Sequence, residues 1–298
     1  MNFYKIYGLI VKSEFPIPEA LEIEKQNRWD VFIEFGEIPE EDRKIANSGK
    51  VCRLEPQIMW FYLKELVFFY VENGNHIIVH KESDKLTELA RNSYLTGTAM
   101  GLLLFQRGII PIHSGAVAYN GKCITVVGES GAGKSTASML LQEKGCSLVA
   151  DDVSAVSVLE ERIMVSPAFP QQKLCKDAAL RLGYKLEELI YIDEFRDKYA
   201  VRLKDGYEQE QLPLDVIVEL VAKDCEEFSI KEIVGIEKLK LLFRNIYRGY
   251  VLDTMGMPEK MQVELLKIAE KIPMYQCIRP KKGFHMEQIV DWILENGV

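Results

Sequence analysis

The segment from Gly128 to Ser135 limits most strongly what this chain can fold into. It reads Gly-Glu-Ser-Gly-Ala-Gly-Lys-Ser and matches the pattern Gly-x-x-x-x-Gly-Lys-Ser/Thr. An apolar stretch, Ile124 to Val127, precedes it, and the sequence predicts a helix from Lys134 to about Lys144. Gly145 suits the end of that helix. A strand, a glycine-rich turn and a helix in this order are typical of a phosphate-binding loop in an α/β protein.

The chemistry expected of this loop follows from its residue types. Glycines let the backbone turn tightly, so that successive N–H groups point at phosphate oxygens. The start of the following helix adds the positive end of its dipole. Lys134 is placed to reach the β- and γ-phosphates, and the Ser135 hydroxyl is placed to ligate Mg²⁺.

Two adjacent carboxylates, Asp151 and Asp152, form the second candidate feature. They follow a predicted strand, Ser147 to Ala150. In parallel α/β sheets ligands gather beyond the carboxyl ends of the strands, where an aspartate can hold Mg²⁺ directly or through water. The alternative, an ordinary solvated turn with two acids, is less favoured once the phosphate loop is in place.

Three further residues are weaker candidates. His113 precedes a predicted hairpin at Asn120-Gly121, and a lone histidine is more often structural. Lys198 and Arg202 are four residues apart and could bind phosphate or substrate from one face of a helix or strand. Solvated surface charge is the alternative for this pair.

Composition excludes several classes of protein. The 37 basic and 45 acidic residues give a net charge of −8, without the basic stripe typical of nucleic-acid binders. No apolar stretch is long enough to span a membrane, and the N-terminus does not resemble a signal peptide. The six cysteines are scattered without a Cys-x-x-Cys pair, which favours reduced thiols. We therefore expect a cytoplasmic protein that binds neither nucleic acid nor membrane.

A change in the predicted secondary structure along the sequence divides the chain into two predicted domains. Residues 1–90 are β-rich, with a strand predicted at Phe3 to Val11 and a hairpin turn at Asn73-Gly74. A helix is predicted from Ser83 to Gln106. In residues 91–298, short apolar runs alternate with predicted helices, a pattern typical of an α/β domain. This second domain contains the phosphate loop.

The order of features around the loop resembles the C-terminal catalytic domain of the HPr kinase/phosphorylase family. His113-Ser114-Gly115, the hairpin at Asn120-Gly121, the phosphate loop, Gly145 and the strand ending in Ala150-Asp151-Asp152 occur in that family's order. The resemblance is specific over about residues 105–155. It implies an α/β fold with a P-loop-containing, PEP-carboxykinase-like (HPr-kinase-like) core and, here, a smaller β-rich N-terminal domain.

Departures from the family pattern refine the expected acceptor. Thr136 stands where HPr kinases usually have glutamate, and the family's C-terminal signature is matched only faintly at Arg279 to Gly283. The chain looks more like HPr-kinase-related proteins of lasso-peptide gene clusters, which phosphorylate a serine at the end of a precursor peptide. The resemblance thus implies a kinase for a peptide or small-protein serine, and it is compatible with a homo-oligomer.

The resemblance also implies a role for each site residue. ATP and Mg²⁺ are the cofactors: Ser135 and Asp152 hold the metal, and Lys134 neutralises charge on the phosphates. Asp151 accepts the proton of the attacking serine, and His113 lies against the transferring phosphate or the Asp151 carboxylate. Three alternatives stay open, namely HPr kinase/phosphorylase activity, a nucleotide-hydrolysing regulator without an acceptor, and a non-catalytic peptide-binding module. The residues expected to contact the nucleotide are Gly128, Glu129, Ser130, Gly131, Ala132, Gly133, Lys134, Ser135 and Thr136.

Overall fold

Residues 2–81 form an eight-stranded mixed sheet in the computed structural model, which describes residues 1–181, 183–193, 197–281 and 285–296. Asn73 and Gly74 both have positive φ, 53° and 64°, as an Asn-Gly hairpin turn requires. The single strand expected from Phe3 to Val11 is wrong, because Tyr7-Gly8 turns the chain with φ of 52° and 74°. The strands are β1 (Asn2–Ile6), β2 (Leu9–Ser13), β3 (Leu21–Glu22), β4 (Val31–Phe35), β5 (Cys52–Leu54), β6 (Ile58–Leu63), β7 (Val67–Glu72) and β8 (His76–Lys81), in the spatial order β3-β1-β2-β4-β8-β7-β6-β5.

Helices cover both faces of this sheet. On one face Ala46 packs with Trp60 and Phe68, and on the other the helices after residue 87 join the main core. The helix expected from Ser83 begins later, because the Thr87 hydroxyl caps it by accepting the N–H of Ala90. Its middle turn is a buried π-helix, Leu95–Ala99. The α-helices of this part are α1 (Glu40–Asn47), α2 (Glu88–Tyr94) and α3 (Met100–Gln106).

The second sheet contains the strand that leads into the phosphate loop. The strands after residue 109 are β9 (Ile110–Ile112), β10 (Ser114–Tyr119), β11 (Lys122–Val127), β12 (Ser147–Ala150), β13 (Ser154–Leu159), β14 (Arg162–Ser166), β15 (Gln171–Cys175), β16 (Ile190–Asp193), β17 (Lys198–Arg202), β18 (Leu212–Lys223), β19 (Ser229–Glu232) and β20 (Met274–Pro280). In the second sheet they follow the order β12-β10-β11-β18-β14-β13-β9, and β20 pairs with β18 and β19 beyond this path. A separate sheet of three strands has the order β15-β17-β16.

The remaining helices pack around the second sheet. One apolar cluster joins the helix after the loop to the last helix through Leu141 and Ile289. Strand β11 runs parallel to β18, and β18 runs parallel to β20. The helices are α4 (Lys134–Glu143), α5 (Lys176–Arg181), α6 (Ile236–Arg244), α7 (Tyr250–Met255), α8 (Glu259–Lys271) and α9 (Met286–Asn296), with a short 3₁₀ turn at Leu186–Glu188.

These elements confirm the α/β class. One buried cluster runs from the first sheet, through α3, into the second sheet and α8. The PEP-carboxykinase-like core and the division into residues 1–90 and 91–298 stay predictions. Among the residues described, none of the helices is long and apolar enough to cross a membrane.

Candidate active site

The loop between β11 and α4 has the backbone that its glycines predict. Gly128 has a φ of 138°, and Gly133, just before the helix, has a φ of 109°. A Cβ atom on Gly128 would lie 2.4 Å from the carbonyl oxygen of Leu220, so a side chain at this position would collide with backbone. The loop is therefore fixed against the neighbouring strand β18 at its first residue.

Lys134 extends back along the loop. Its Nζ donates to the carbonyl oxygens of Gly128 at 2.7 Å and Glu129 at 3.2 Å. The ammonium group thus lies at the loop mouth, where a phosphate group held by the loop N–H groups would be within reach.

Strand register brings the two aspartates to the loop. Strand β10 pairs antiparallel with both β11 and β12, so β11 and β12 end at the same edge. Ser114 lies opposite Val127, and its N–H donates to the carbonyl oxygen of Asp152 at 3.3 Å. Asp152 itself has a φ of 71°, and this left-handed residue turns the chain away from the strand.

Asp151 is enclosed and lies beside Ser135. It is 7% exposed. Its Oδ1 is 3.4 Å from the Ser135 hydroxyl, and its Oδ2 accepts the backbone N–H of Lys173 at 2.8 Å. Both carboxylate oxygens are therefore engaged, Oδ1 beside the loop and Oδ2 by strand β15.

Asp152 faces the other way, toward His113. Its side chain is 27% exposed, and its Oδ1 is 3.4 Å from His113 Nδ1. His113 Nδ1 also donates to the Asp152 carbonyl oxygen at 2.9 Å. Because a carbonyl oxygen only accepts, Nδ1 carries the proton, and in neutral His113 Nε2 keeps its lone pair. Lys173 Nζ is 3.6 Å from Asp152 Oδ2.

The surroundings separate the two carboxyl pKa values. Burial, followed by the charge of Asp152, raises the pKa of Asp151 to about 6. Burial also acts to raise the pKa of Asp152, but nearby positive charges, Lys173 first, outweigh it and hold that pKa below its ordinary value. Burial and then the charge of Lys134 lower the pKa of His113. Asp152 is thus the stronger acid of the two carboxyl groups, and the surroundings favour the neutral form of His113.

The small three-stranded sheet forms the opposite wall. Lys173 on β15 and Lys198 on β17 both line the pocket. Burial alone would lower the pKa of Lys173, but the carboxylates of Asp152 and Asp151 outweigh it and raise that pKa. Arg202, at the other end of β17, is exposed and does not belong to the pocket lining, so the structure does not bring it together with the site.

Sequence reasoning did not single out Lys173 or Arg279. Arg279, near the end of strand β20, donates from Nε and Nη2 to the carbonyl oxygen of Ala132, at 3.1 and 3.0 Å. Arg279 falls only in the faint signature from Arg279 to Gly283, and none of the sequence motifs includes Lys173. Lys282, Gly283 and Phe284 lie outside the described residues.

These groups enclose one pocket of about 440 Å³, within the range of small-molecule sites. Among the predicted nucleotide contacts, Gly128, Glu129 and Ala132 are not part of the lining. Lining residues are His113, Ser114, Gly115, Ser130, Gly131, Gly133, Lys134, Ser135, Thr136, Asp151, Asp152, Lys173, Cys175, Asp177, Ala178, Arg181, Lys198, Arg279, Lys281 and Met286.

The donor set beside the loop fits Mg²⁺. Ser135 Oγ and Asp151 Oδ1 are hard oxygen donors 3.4 Å apart. Mg²⁺ binds through one or two such protein oxygens and completes its shell with water and phosphate oxygens. The expectation that Asp152 accompanies Ser135 has less geometric support, since Asp152 lies against His113 and Lys173.

Comparisons with known proteins add little. No protein-family model and no curated protein matches the sequence. One solved structure, the Hpr(Ser) kinase/phosphatase from Coxiella burnetii, is similar with 12% identity and a TM-score of 0.33, covering 62% of this chain and 94% of that chain. A likeness this weak establishes neither a common fold nor a common activity, and the assignment below depends on the side chains of the site.

Proposed function

We propose that this protein is an ATP-dependent kinase that transfers the γ-phosphoryl group to a serine hydroxyl of a peptide or small protein. The observation that carries the proposal is the pair of aspartates with different surroundings. Asp151 lies against the Ser135 hydroxyl, and Asp152 lies against His113 in the open part of the pocket. A protein that only hydrolyses nucleotide commonly orients water with a glutamine or glutamate instead.

The geometry supports roles for the two aspartates that are the reverse of those implied by family resemblance. Asp151 with Ser135 would hold Mg²⁺, which when bound neutralises charge on the phosphates. Asp152 would accept the proton of the acceptor hydroxyl. The higher pKa of Asp151 would suit a base, but both its oxygens already have partners and the residue is only 7% exposed. Accessibility decides here, because a base must reach the proton it accepts.

The other residues act by position and charge. Lys134 would contact the β- and γ-phosphates, and Lys198 would face the transferring phosphoryl group from the opposite wall. Neutral His113 holds the backbone and carboxylate of Asp152 in place. A weakly basic carboxylate is sufficient, because phosphoryl transfer depends mainly on alignment and charge stabilisation.

The acceptor is the finer part of the proposal. We infer a serine at the end of a ribosomal precursor peptide of the lasso class, with HPr as the second candidate. The test is incubation with Mg²⁺·ATP and each acceptor, read by intact mass, with Asp152→Asn beside the wild type. We expect one phosphoryl group on the peptide, absent with the variant. Release of ADP with neither acceptor modified would contradict the acceptor assignment.

A further inference from the structure

One buried residue outside the pocket touches both halves of the site. Asn245 follows α6 and is 6% exposed. Its Oδ1 accepts the backbone N–H of Gly128 at 3.3 Å, and its main-chain carbonyl oxygen accepts the backbone N–H of His113 at 2.7 Å. The first residue of the phosphate loop and the histidine beside Asp152 are therefore held by the same residue.

The orientation of the Asn245 amide is fixed by its other end. Nδ2 donates to the carbonyl oxygen of Leu241, one turn earlier in α6, at 2.8 Å. Because the donor side of the amide is engaged there, Oδ1 is directed at Gly128. A hydrogen bond from a buried N–H matters most when it is lost, because the donor is then left unpaired.

The end of α6 is itself braced against the sheet. Arg244 donates from Nε and Nη2 to Glu219 Oε1, at 3.1 and 2.6 Å. Gln276 donates to Glu219 Oε2 at 2.5 Å. Glu219 lies opposite Val127 in the parallel pair β11–β18, immediately before the phosphate loop begins. These hydrogen bonds to Glu219 thus hold the end of α6 in place, and with it the contact between Asn245 and Gly128.

We propose that Asn245 is a positioning residue that keeps the phosphate loop in its nucleotide-binding conformation and in register with His113. The inference rests on the proposed function, because it takes a nucleotide to be the ligand of the loop. Without the Asn245 acceptor, the Gly128 N–H would seek another partner and the loop would leave its binding-competent conformation part of the time. Apparent affinity falls by the fraction of competent molecules.

The test compares Asn245→Ala with a matched control, Asn92→Ala, in the full chain. Asn92 is equally buried, 1% exposed, and its amide bonds Arg91 and Glu19 instead of the loop. Mg²⁺·ADP is the probe, titrated calorimetrically, and melting temperature records the loss of stability. We expect Asn245→Ala to raise the Kd about tenfold and Asn92→Ala to bind as the wild type does, although both melt earlier.

Each outcome decides between the alternatives. Wild-type affinity in a folded Asn245→Ala protein, or equal weakening in both variants, would overturn the positioning role. If Asn245→Ala does not fold, Asn245→Ser takes its place, with a smaller rise in Kd expected and an unchanged Kd again contradictory. Failure of the wild type itself to bind Mg²⁺·ADP would refute the proposed function and the inference together, a result distinct from the others.

Discussion

The first sheet and the phosphate-loop sheet use ionisable side chains in different ways. On α1, which packs against the first sheet, Asp42 Oδ1 accepts the Trp60 indole N–H at 2.6 Å and pairs with Arg53 at 2.9 Å. His76 likewise lies between two glutamates of its own sheet. Just beyond the end of β12 in the second sheet, Asp152 pairs with Lys173 but also faces an open pocket. An ionisable side chain whose partners all lie within the packed protein stabilises the fold. One that is paired at the mouth of a pocket is still able to act on a ligand.

Lys134→Met is expected to have the largest effect on the pocket of the second sheet. If the ammonium group contacts the phosphates, its loss should reduce phosphoryl transfer on the order of a thousandfold, because charge stabilisation carries most of this reaction. Transfer is measured by intact mass under single-turnover conditions. Activity within tenfold of the wild type would show that the loop is not the nucleotide site.

The next largest effect concerns stability in the first sheet. Asp42→Ala leaves the Trp60 N–H and Arg53 without their buried acceptor, and should lower the free energy of unfolding by about 2–4 kcal/mol. Urea denaturation measures this change. Transfer by the folded fraction should equal that of the wild type, and a weaker Mg²⁺·ADP affinity would mean that the first sheet takes part in the site.

The pH dependence of stability should report on Asp151. Because its pKa is raised from 3.8 to about 6 in the folded state, the unfolded state loses its proton first. The free energy of unfolding should therefore fall as pH rises from about 4 to about 6, by about 2–3 kcal/mol, and stay low above that. Asp151→Asn should remove this decline and stabilise the nucleotide-free protein at pH 7.5. An unchanged pH profile in that variant would contradict the assigned burial.

The smallest expected change in transfer rate comes from Lys198 and is absent for Arg202 of the same strand. Lys198→Met should slow transfer about tenfold, because Lys198 lines the pocket in which the proposed function places the phosphoryl group. Arg202→Met, four residues along β17, should leave transfer unchanged, because Arg202 lies outside the lining. Equal effects of the two substitutions would mean that charge on β17 acts only at long range.

The parts of the fold that sequence predicted depend on local interactions. Asn73-Gly74 and Asn120-Gly121 form hairpin turns because asparagine and glycine tolerate positive φ. The strand–loop–helix around Lys134 likewise needs only neighbouring residues. The single strand predicted from Phe3 to Val11 was wrong because Tyr7-Gly8 forms a turn. Tyr-Gly is a weaker sequence signal for a hairpin turn than Asn-Gly.

The parts of the site that sequence did not predict depend on strand register and distant contacts. Lys173 reaches Asp152 only because β15 lies across the pocket, and Arg279 bonds a carbonyl 147 residues earlier in the chain. Asn245 meets Gly128 across 117 residues. The adjacent aspartates could be identified as a pair, but which one meets Ser135 depends on the turn at Asp152, and no local pattern specifies that turn.

The proposed function requires Asp151 to hold the metal and Asp152 to act on the acceptor. Titration of ADP with and without Mg²⁺ into Asp151→Asn and Asp152→Asn tests it most directly. We expect Asp151→Asn to lose the Mg²⁺-dependent gain in affinity. Asp152→Asn should keep that gain within about twofold and yet lose transfer by roughly a hundredfold or more. The reverse pattern, with the metal effect lost only in Asp152→Asn, would contradict the account.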